Sequence, residues 1–405
     1  MYHYGAKVDL RTIPSAVGGD VEKRHGIILA KSIPAKAYHI HTGEPVVSAK
    51  QKCPELVLVP PNYNLYQQCS NAFMEILRQY TSVVEPYSVD EAFLDVTEVL
   101  HLYASPLALA DEIRCRIRNE LGFTVNIGVS CNKFLAKMAS DFTKPDRTHT
   151  LFPEEIPAKL WPLPVRDMLY VGRSTAKSLY GLGVHTIGEL AAMDMRILRH
   201  HLKKHGETIW AYANGMDDSP VIAEAAPNKG YSNSTTTPYD ITEEAEARQV
   251  LLALCETVAK RLRADGMKAE VVSVGIKNHH LSYASHQMVL ENPTNITIEL
   301  YEYACKLFGE LWKGIPIRLL GVSASRVTSA SQERQQNLFD CRDYEKLERA
   351  DAAIDAIRRK HGIDAVKRAT FLNSSVDHLS GGISREKRSV DYARELSEPD
   401  AFKGI

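Results

Sequence analysis

The 405-residue chain has no surplus of charge of either sign: 49 Lys and Arg stand against 50 Asp and Glu, a formal net charge of −1. That balance excludes a uniformly basic coat, so any contact with nucleic-acid phosphates must come from local patches. Cysteine is sparse and unpatterned. Cys53, Cys69, Cys115, Cys131, Cys255, Cys305 and Cys341 are odd in number and dispersed, and none forms a C-x-x-C pair. Such spacing argues against a disulfide framework or a zinc site and fits a reducing, cytoplasmic compartment. No apolar run approaches the length of a membrane span, and no signal-peptide pattern opens the chain. What is present, 44% hydrophobic and 24% charged residues, is ordinary for a globular protein. The length allows two to four domains.

The most informative stretch is Val84-Glu85-Pro86-Tyr87-Ser88-Val89-Asp90-Glu91-Ala92-Phe93-Leu94-Asp95-Val96-Thr97. Two β-rich runs flank an Asp-Glu pair. Neighbouring side chains of a continuous strand point to opposite faces, but at a tight bend both acids can reach one small volume. Ala92, Leu94 and Val96 alternate with Phe93 and Asp95, as in a half-buried strand. Two carboxylates held together repel unless a cation lies between them, and hard oxygen ligands on a rigid hairpin suit Mg²⁺. The ordinary account of such a pair is a surface turn with two solvated acids. The flanking residues favour the metal: Glu85-Pro86-Tyr87-Ser88-Val89-Asp90-Glu91-Ala92-Phe93-Leu94-Asp95-Val96-Thr97 resembles the palm motif of the Y-family DNA polymerases, the DinB/UmuC-type translesion enzymes.

The resemblance runs from about Leu10 to Thr328. In that family the chain opens with a strand ending in Asp-x-Asn/Asp-x-Phe/Tyr, which supplies a further metal-binding carboxylate and an aromatic screen for the sugar. Here Met1-Tyr2-His3-Tyr4 leads instead to Leu10-Arg11-Thr12-Ile13-Pro14-Ser15, similar to the family segment after the first helix, and Asp9 and Asp20 are out of register to replace the acid. The start is therefore read as incomplete. Ile27-Ile28-Leu29-Ala30 is β-like, and Lys31 to Tyr38 reads as a helix start with Pro34 in its first turn. The family carries a triphosphate-binding Tyr and Arg where Ile33 and Lys36 stand, so Lys36 keeps the charge but not the bidentate fork. Apolar spacing predicts helices at Tyr63–Tyr80 and Leu107–Leu121, and Thr124–Ser130 reads as a strand. Cys131-Asn132-Lys133-Phe134-Leu135-Ala136-Lys137-Met138-Ala139-Ser140-Asp141-Phe142-Thr143-Lys144-Pro145 then resembles the family's S-x-N-K-x-x-A-K-x-A-S-x-x-x-K-P segment, with Lys144 at a triphosphate-binding position and Lys133 and Lys137 as supports of the palm.

Tyr170-Val171-Gly172-Arg173-Ser174-Thr175-Ala176-Lys177-Ser178-Leu179 and Leu182-Gly183-Val184-His185-Thr186-Ile187-Gly188-Glu189-Leu190 read as helix-hairpin-helix, where glycine lets backbone N–H groups approach phosphate. A hairpin used only for packing is the alternative. Arg199-His200-His201-Leu202-Lys203-Lys204-His205-Gly206 reads as a solvated basic face. Residues 229–328 alternate strand, helix, strand, strand, helix, strand, an α+β pattern similar to the little finger of this family. Asn233-Ser234-Thr235-Thr236-Thr237 and Lys277-Asn278-His279-His280 suit phosphate contacts. Beyond Thr328, Gln335-Gln336-Asn337-Leu338-Phe339 fits a Gln-x-x-Leu-Phe clamp-docking pattern, 342–360 reads as a charged helix, and about 370–405 as a mobile tail.

The resemblance thus implies an α+β multidomain, right-hand polymerase. Its parts would be a palm (1–15 and 64–162, first strand missing), fingers (16–63), a helix-hairpin-helix thumb (163–220), a little finger (229–328) and a tail with a clamp-binding peptide (329–405). The implied activity is template-directed, error-prone translesion synthesis, in which a primer 3′-hydroxyl attacks a dNTP with two Mg²⁺ ions. By resemblance Asp90 bridges the metals, Glu91 binds the catalytic one, Ser88 shapes the site, and Lys36 and Lys144 hold the triphosphate. Gly172, Arg173, Ser174, Thr175, Lys177, Gly183 and Lys277 would contact DNA, and Gln335, Leu338 and Phe339 the sliding clamp (the β subunit of the replicase). The other partners are primer–template DNA and dNTP, with no membrane, for a cytoplasmic monomer. The absent opening acid leaves one alternative, a catalytically impaired DNA-binding protein of the same fold.

Overall fold

The structure, a computed structural model, describes residues 9–19, 26–224, 226–332, 334–335, 342–372, 374 and 376–379. The chain divides into two compact units, one of residues 65–226 and one that groups residues up to 64 with those from 227 onward.

The first stretch of the discontinuous unit is a small sheet. β1 (Ser15–Gly18) pairs antiparallel with β2 (Ile28–Lys31) and parallel with β3 (Val57–Val59), in the order β2-β1-β3. The expected boundary between palm and fingers at residues 15 and 16 therefore falls inside one strand. Helix α1 (Ile33–Lys36) starts where Ser32 accepts from the Ala35 N–H, with Pro34 in the first turn, as the sequence predicts. Helix α2 (Val46–Lys52) completes this layer, and Ala16, Ile28, Ile40, Val46 and Leu56 form its core.

The second unit begins within α3 (Tyr63–Arg78), whose Phe73, Met74, Ile76 and Leu77 are buried. A hairpin follows, β4 (Val84–Pro86) against β5 (Ala92–Leu94). Helix α4 (Pro106–Leu121), capped by Ser105, places Leu109, Ile113 and Ile117 against α3. Ala92, Leu94 and Val96 of the hairpin pack on this cluster, which is the face the alternation predicts. The expected strand at Thr124–Ser130 is shorter: β6 spans Ile127–Val129 and pairs parallel with β7 (Thr148–Thr150). Between them lies α5 (Lys133–Ser140), N-capped by the Asn132 side chain. Strand and helix meet at Gly128, where a Cβ would stand 1.8 Å from the Ala136 carbonyl oxygen, so only glycine fits. The buried face of α5 (Phe134, Leu135, Met138) joins the core of the helices that follow: α6 (Ile156–Lys159), α7 (Arg173–Gly181), α8 (Ile187–Ala192), α9 (Met195–Leu202) and α10 (Lys204–Ala213). The basic run expected as one helical face is broken at Lys203, whose φ of 57° ends α9 and starts α10 at a new angle.

Residues from 227 onward form an antiparallel sheet of order β10-β9-β11-β8, built from β8 (Gly230–Ile241), β9 (Met267–Asn278), β10 (Tyr283–Thr294) and β11 (Ile317–Ser329). Helices α11 (Glu244–Ala264) and α12 (Thr297–Leu311) cover one face through Leu251, Leu254, Val258, Leu300 and Phe308 against Val272, Val274, Leu320 and Val322.

The segment past Thr328 departs from the expectation of a polar tail. Helix α13 (Tyr344–His361) is tied to α11 and α12: Arg263 pairs with Asp351 (3.1 Å) and Asp355 (2.7 Å), Arg358 with Glu256 (3.3 Å), and the Thr297 N–H donates to Asp351 (2.7 Å). Phe371 and Val376 enter the core of the α11–α12 layer, and Leu379 and His378 are buried. Phe371 and Val376, in the stretch expected from about residue 370 to be mobile, thus supply apolar groups to that core. Of the clamp-docking pattern, Gln335 is described and Leu338 and Phe339 lie outside the described residues.

Candidate active site

The Asp-Glu pair sits in the connection of the β4–β5 hairpin. The Tyr87 and Ser88 N–H groups both donate to the Glu91 carbonyl oxygen (2.9 and 3.1 Å), which closes the loop and places Ser88, Asp90 and Glu91 at its tip. Ser88 Oγ donates to Asp90 Oδ1 at 2.7 Å. Tyr87 stands edge-on to Phe93, ring centroids 5.3 Å apart. Its hydrogen bond to Tyr170, together with burial, pushes the Tyr170 phenol up to about 12.

Helix α5 runs behind this loop. Lys133 Nζ donates to both carboxylate oxygens of Glu85 (2.8 and 2.7 Å) and to the Pro220 carbonyl (3.1 Å), and lies 5.2 Å from the centre of the Phe93 ring. It is a support of the hairpin, as expected. Lys137, one turn on, also reaches the hairpin loop: its Nζ is 2.8 Å from Glu91 Oε1 and 2.8 Å from Asp141 Oδ2. Lys144 Nζ is 2.7 Å from Asp141 Oδ1. Burial alone would lower the Lys137 ammonium, but hydrogen bonds to Asp141 and Glu91 outweigh it and hold the group above its ordinary value. Likewise burial would raise the Asp141 carboxyl, and the bonds from Lys137 and Lys144 keep it below the usual carboxylate range. Asp141 is the group the sequence reading missed. Its signal was the i, i+4 spacing to Lys137 at the C-terminal end of α5, with Lys144 three residues further along the chain.

The donor set fits a divalent cation. Asp90 is exposed, Glu91 is half-buried, and a hydroxyl stands beside the first. Mg²⁺ is commonly held by one or two carboxylates with water and substrate phosphate completing the shell. Asp95, just past β5, is committed elsewhere: its Oδ1 accepts from the Thr97 N–H (3.0 Å) and hydroxyl (2.6 Å). The one grouping of three metal-type ligands among the described residues is Asp364, Asp377 and His378. There His378 Nε2 already bonds Asp364 (2.9 Å), and Lys367 pairs with the same oxygen (2.9 Å), so it reads as an ion-pair cluster.

The expected phosphate-contacting residues fall on two surfaces. In the hairpin of α7 and α8, Gly172, Arg173, Ser174, Lys177 and Gly183 are exposed, and Thr175 is half-buried beside His205. Gly183 has φ +79°, a conformation glycine adopts without strain. Thr186 and Glu189 form a capping box that fixes the start of α8. In the other unit, Lys277 lies on the face of the sheet opposite α11 and α12. Two cross-strand rows there are small and polar: Ser232–Ser323–Ser273–Gln287 and Ser234–Gly321–Gly275–Ser285. The Tyr283 ring lies across Gly275, where a Cβ would meet its Oη at 2.2 Å. Lys36 is exposed at the end of α1, also in that unit.

Comparison with known proteins gives matches of the same extent. The impB/mucB/samB family matches residues 4–141, the C-terminal domain of that family residues 228–338, and the IMS family HHH motif residues 153–184. A DNA polymerase IV of Clostridium acetobutylicum is 42% identical over 91% of this chain and 92% of its own length. One from Acetivibrio thermocellus is 40% identical over 90% and 92%, and DNA polymerase IV 1 of Bacillus subtilis 36% identical over 92% and 90%. Among solved structures, a Y-family DNA polymerase chimera, Dbh-Dpo4(243-245)-Dbh, shares the fold with a TM-score of 0.68 at 22% identity, covering 79% of this chain and 93% of its own. The acidic hairpin, α7 of the hairpin of helices and the terminal α+β sheet therefore lie within the stretches matched by one family, and this chain belongs to it: it is a member of the impB/mucB/samB family, the Y-family DNA polymerases.

Proposed function

We propose that the chain is a template-directed, error-prone translesion DNA polymerase, with the loop carrying Asp90 and Glu91 as its metal-binding edge. The observation that carries this reading is the loop itself: two carboxylates and a serine hydroxyl at one tip, backed by Lys137 and Lys144. Two Mg²⁺ ions bound at this edge would supply charge stabilisation to the attacking and leaving oxygens of phosphoryl transfer. Asp90 and Glu91 would hold them, and Ser88 orients Asp90 through its hydrogen bond. Lys144 meets the triphosphate of the incoming dNTP as a point charge, and Lys36 offers an exposed charge at the end of α1.

Primer–template DNA is held without regard to sequence. Arg173, Ser174, Thr175 and Lys177 offer charge and hydroxyls beside backbone N–H groups at the start of α7, and Gly172 and Gly183 leave the approach open. Lys277 and the small polar row Ser232–Ser323–Ser273–Gln287 let a sugar-phosphate backbone come close to the strands. Gln335, Leu338 and Phe339 are assigned to a sliding clamp on their pattern. In its support, Asn292 accepts from the Gln335 N–H (2.8 Å) and donates to its carbonyl (3.2 Å), so the start of that peptide is fastened to β10. The chain is read as a cytoplasmic monomer; among the described residues no helix is long and apolar enough to cross a membrane. The impaired-binder alternative is not favoured, since relatives named as DNA polymerase IV align over nine-tenths of the chain.

The test is primer extension with Mg²⁺. Asp90→Ala and Glu91→Ala should each bring extension to background while duplex binding stays near the parent's, because the grip on DNA lies in other elements. Near-parent extension by either variant would overturn the assignment.

A further inference from the structure

Glu91 and Lys144 lie at the two ends of one unbroken series of ion pairs: Glu91 to Lys137, Lys137 to Asp141, Asp141 to Lys144, at 2.8, 2.8 and 2.7 Å. Positions 137 and 141 share one side of α5 at its C-terminal end, and 144 follows in the next turn of chain. The Lys137 side chain is only 13% exposed. An ammonium so far withdrawn from water is held by its carboxylates rather than by solvent. With both partners its charge is divided between two acids. With Glu91 alone it would be a full counter-ion on the same carboxylate that a divalent cation needs.

We propose that Asp141 is a positioning residue. By sharing Lys137 with Glu91 it keeps the Glu91 carboxylate open to a divalent cation, and by pairing with Lys144 it aims that ammonium at the incoming triphosphate. This rests on reading the Asp90–Glu91 loop as the metal site. The geometry divides the work: one oxygen of Asp141 faces Lys137 and the other faces Lys144, so a single carboxylate couples the metal edge to the nucleotide lysine. Glu91, Lys137 and Asp141 together carry one negative charge, which favours a cation at Glu91. With Asn at 141 the trio is neutral, and Lys137 turns wholly to Glu91.

The experiment measures Mn²⁺ binding to the full chain by electron paramagnetic resonance, counting only Mn²⁺ held beyond the Asp90→Ala level. Asp141→Asn should weaken that binding by roughly fivefold, in the range of couplings within one charged network. Asp141→Glu, which keeps the charge on a longer arm, should recover most of it. The decisive arm is a double-mutant cycle. In a Lys137→Met background, or Lys137→Gln if the first fails to fold, Asp141→Asn should have little further effect, because the residue through which it acts is gone. In steady-state extension Asp141→Asn should raise the KM for dNTP more than it lowers kcat, a split that loss of folded protein would not produce. Parent-like Mn²⁺ affinity in Asp141→Asn, or an undiminished loss in the Lys137-substituted background, would overturn the proposal. A parent chain that holds no Mn²⁺ beyond the Asp90→Ala level would overturn the metal reading itself, before Asp141 is altered.

Discussion

Asp146 shows how one carboxylate can secure the loop that carries Lys144. It accepts from Arg114 and Arg118 of α4, both at 2.8 Å, while the Asn126 amide donates to the Ser140 and Thr143 carbonyls (3.1 and 2.7 Å) on the other side of the same loop. The hydrogen bond from Arg114, with that from Arg118 and against a smaller opposing effect of burial, holds the Asp146 carboxyl below the usual range. A depressed pKa means that folding favours the ionised form. The contribution is complete above the unfolded value of about 3.9 and fades as pH falls through the lower folded value. Asp146→Asn should therefore cost about 1 kcal/mol near neutral pH. In urea denaturation the gap between parent and variant should close as pH is lowered below about 4; a gap unchanged at low pH would mean that the pairing is not its cause. At this scale the sequence was legible where neighbours in the chain stay neighbours in space, as with Ser88, Asp90 and Glu91 at the tip of one loop. It was less so where two side chains must meet. Lys137 was read as a support only, because its second partner, Glu91, lies 46 positions back in the chain and no local spacing announces that contact.

Among the elements, long amphipathic segments could be read closely and short ones could not. Helices α11 and α12 and the four strands with them follow the strand, helix, strand, strand, helix, strand order read over residues 229–328. By contrast β6 and β7 have three residues each, too few for a period to declare itself, and tertiary packing on α4 and α5 sets their limits. Helix α13 was expected, but its docking was not, because its contacts are polar. Arg263, Asp351 and Asp355 are nearly buried, and a reading that seeks cores through apolar residues passes over them. These charges make a sharp test. Arg263→Met removes the cation that two buried carboxylates share, leaving Asp351 only Arg368 as a cation, at 3.5 Å, and should cost on the order of 3 kcal/mol. Replacing Arg263, Asp351 and Asp355 together by apolar residues of similar size should recover most of that loss, since the desolvation penalty goes with the charges. Thermal melts of the single and triple variants, with hydrogen exchange of α13, measure both. A single variant as stable as the parent would show that the Arg263 pairs do not hold α13.

For the whole molecule, the near-zero net charge sets the terms on which DNA can be held. With 49 cations balanced by 50 anions there is no long-range field to gather a polyanion, so affinity depends on a limited number of local contacts. The proposed contacts are divided between two compact units, with Arg173 and Lys177 on α7 of one and Lys277 on β9 of the other. If one duplex engages both, its affinity should fall linearly in log salt, and each lost phosphate contact should reduce the slope by about 0.9. Lys177→Ala and Lys277→Ala should then each weaken binding across all sequences tested. Having no shared partner, they should add in the double variant to within about 0.5 kcal/mol. Fluorescence anisotropy with primer–template DNA between 50 and 200 mM salt, roughly the range over which phosphate contacts dominate the dependence, gives slope and additivity in one series. Sequence-dependent losses would mean base readout in place of phosphate contact. An unchanged slope in the double variant would remove both lysines from the DNA-binding surface, and a slope changed by Lys177→Ala alone would confine the grip to the hairpin of α7 and α8.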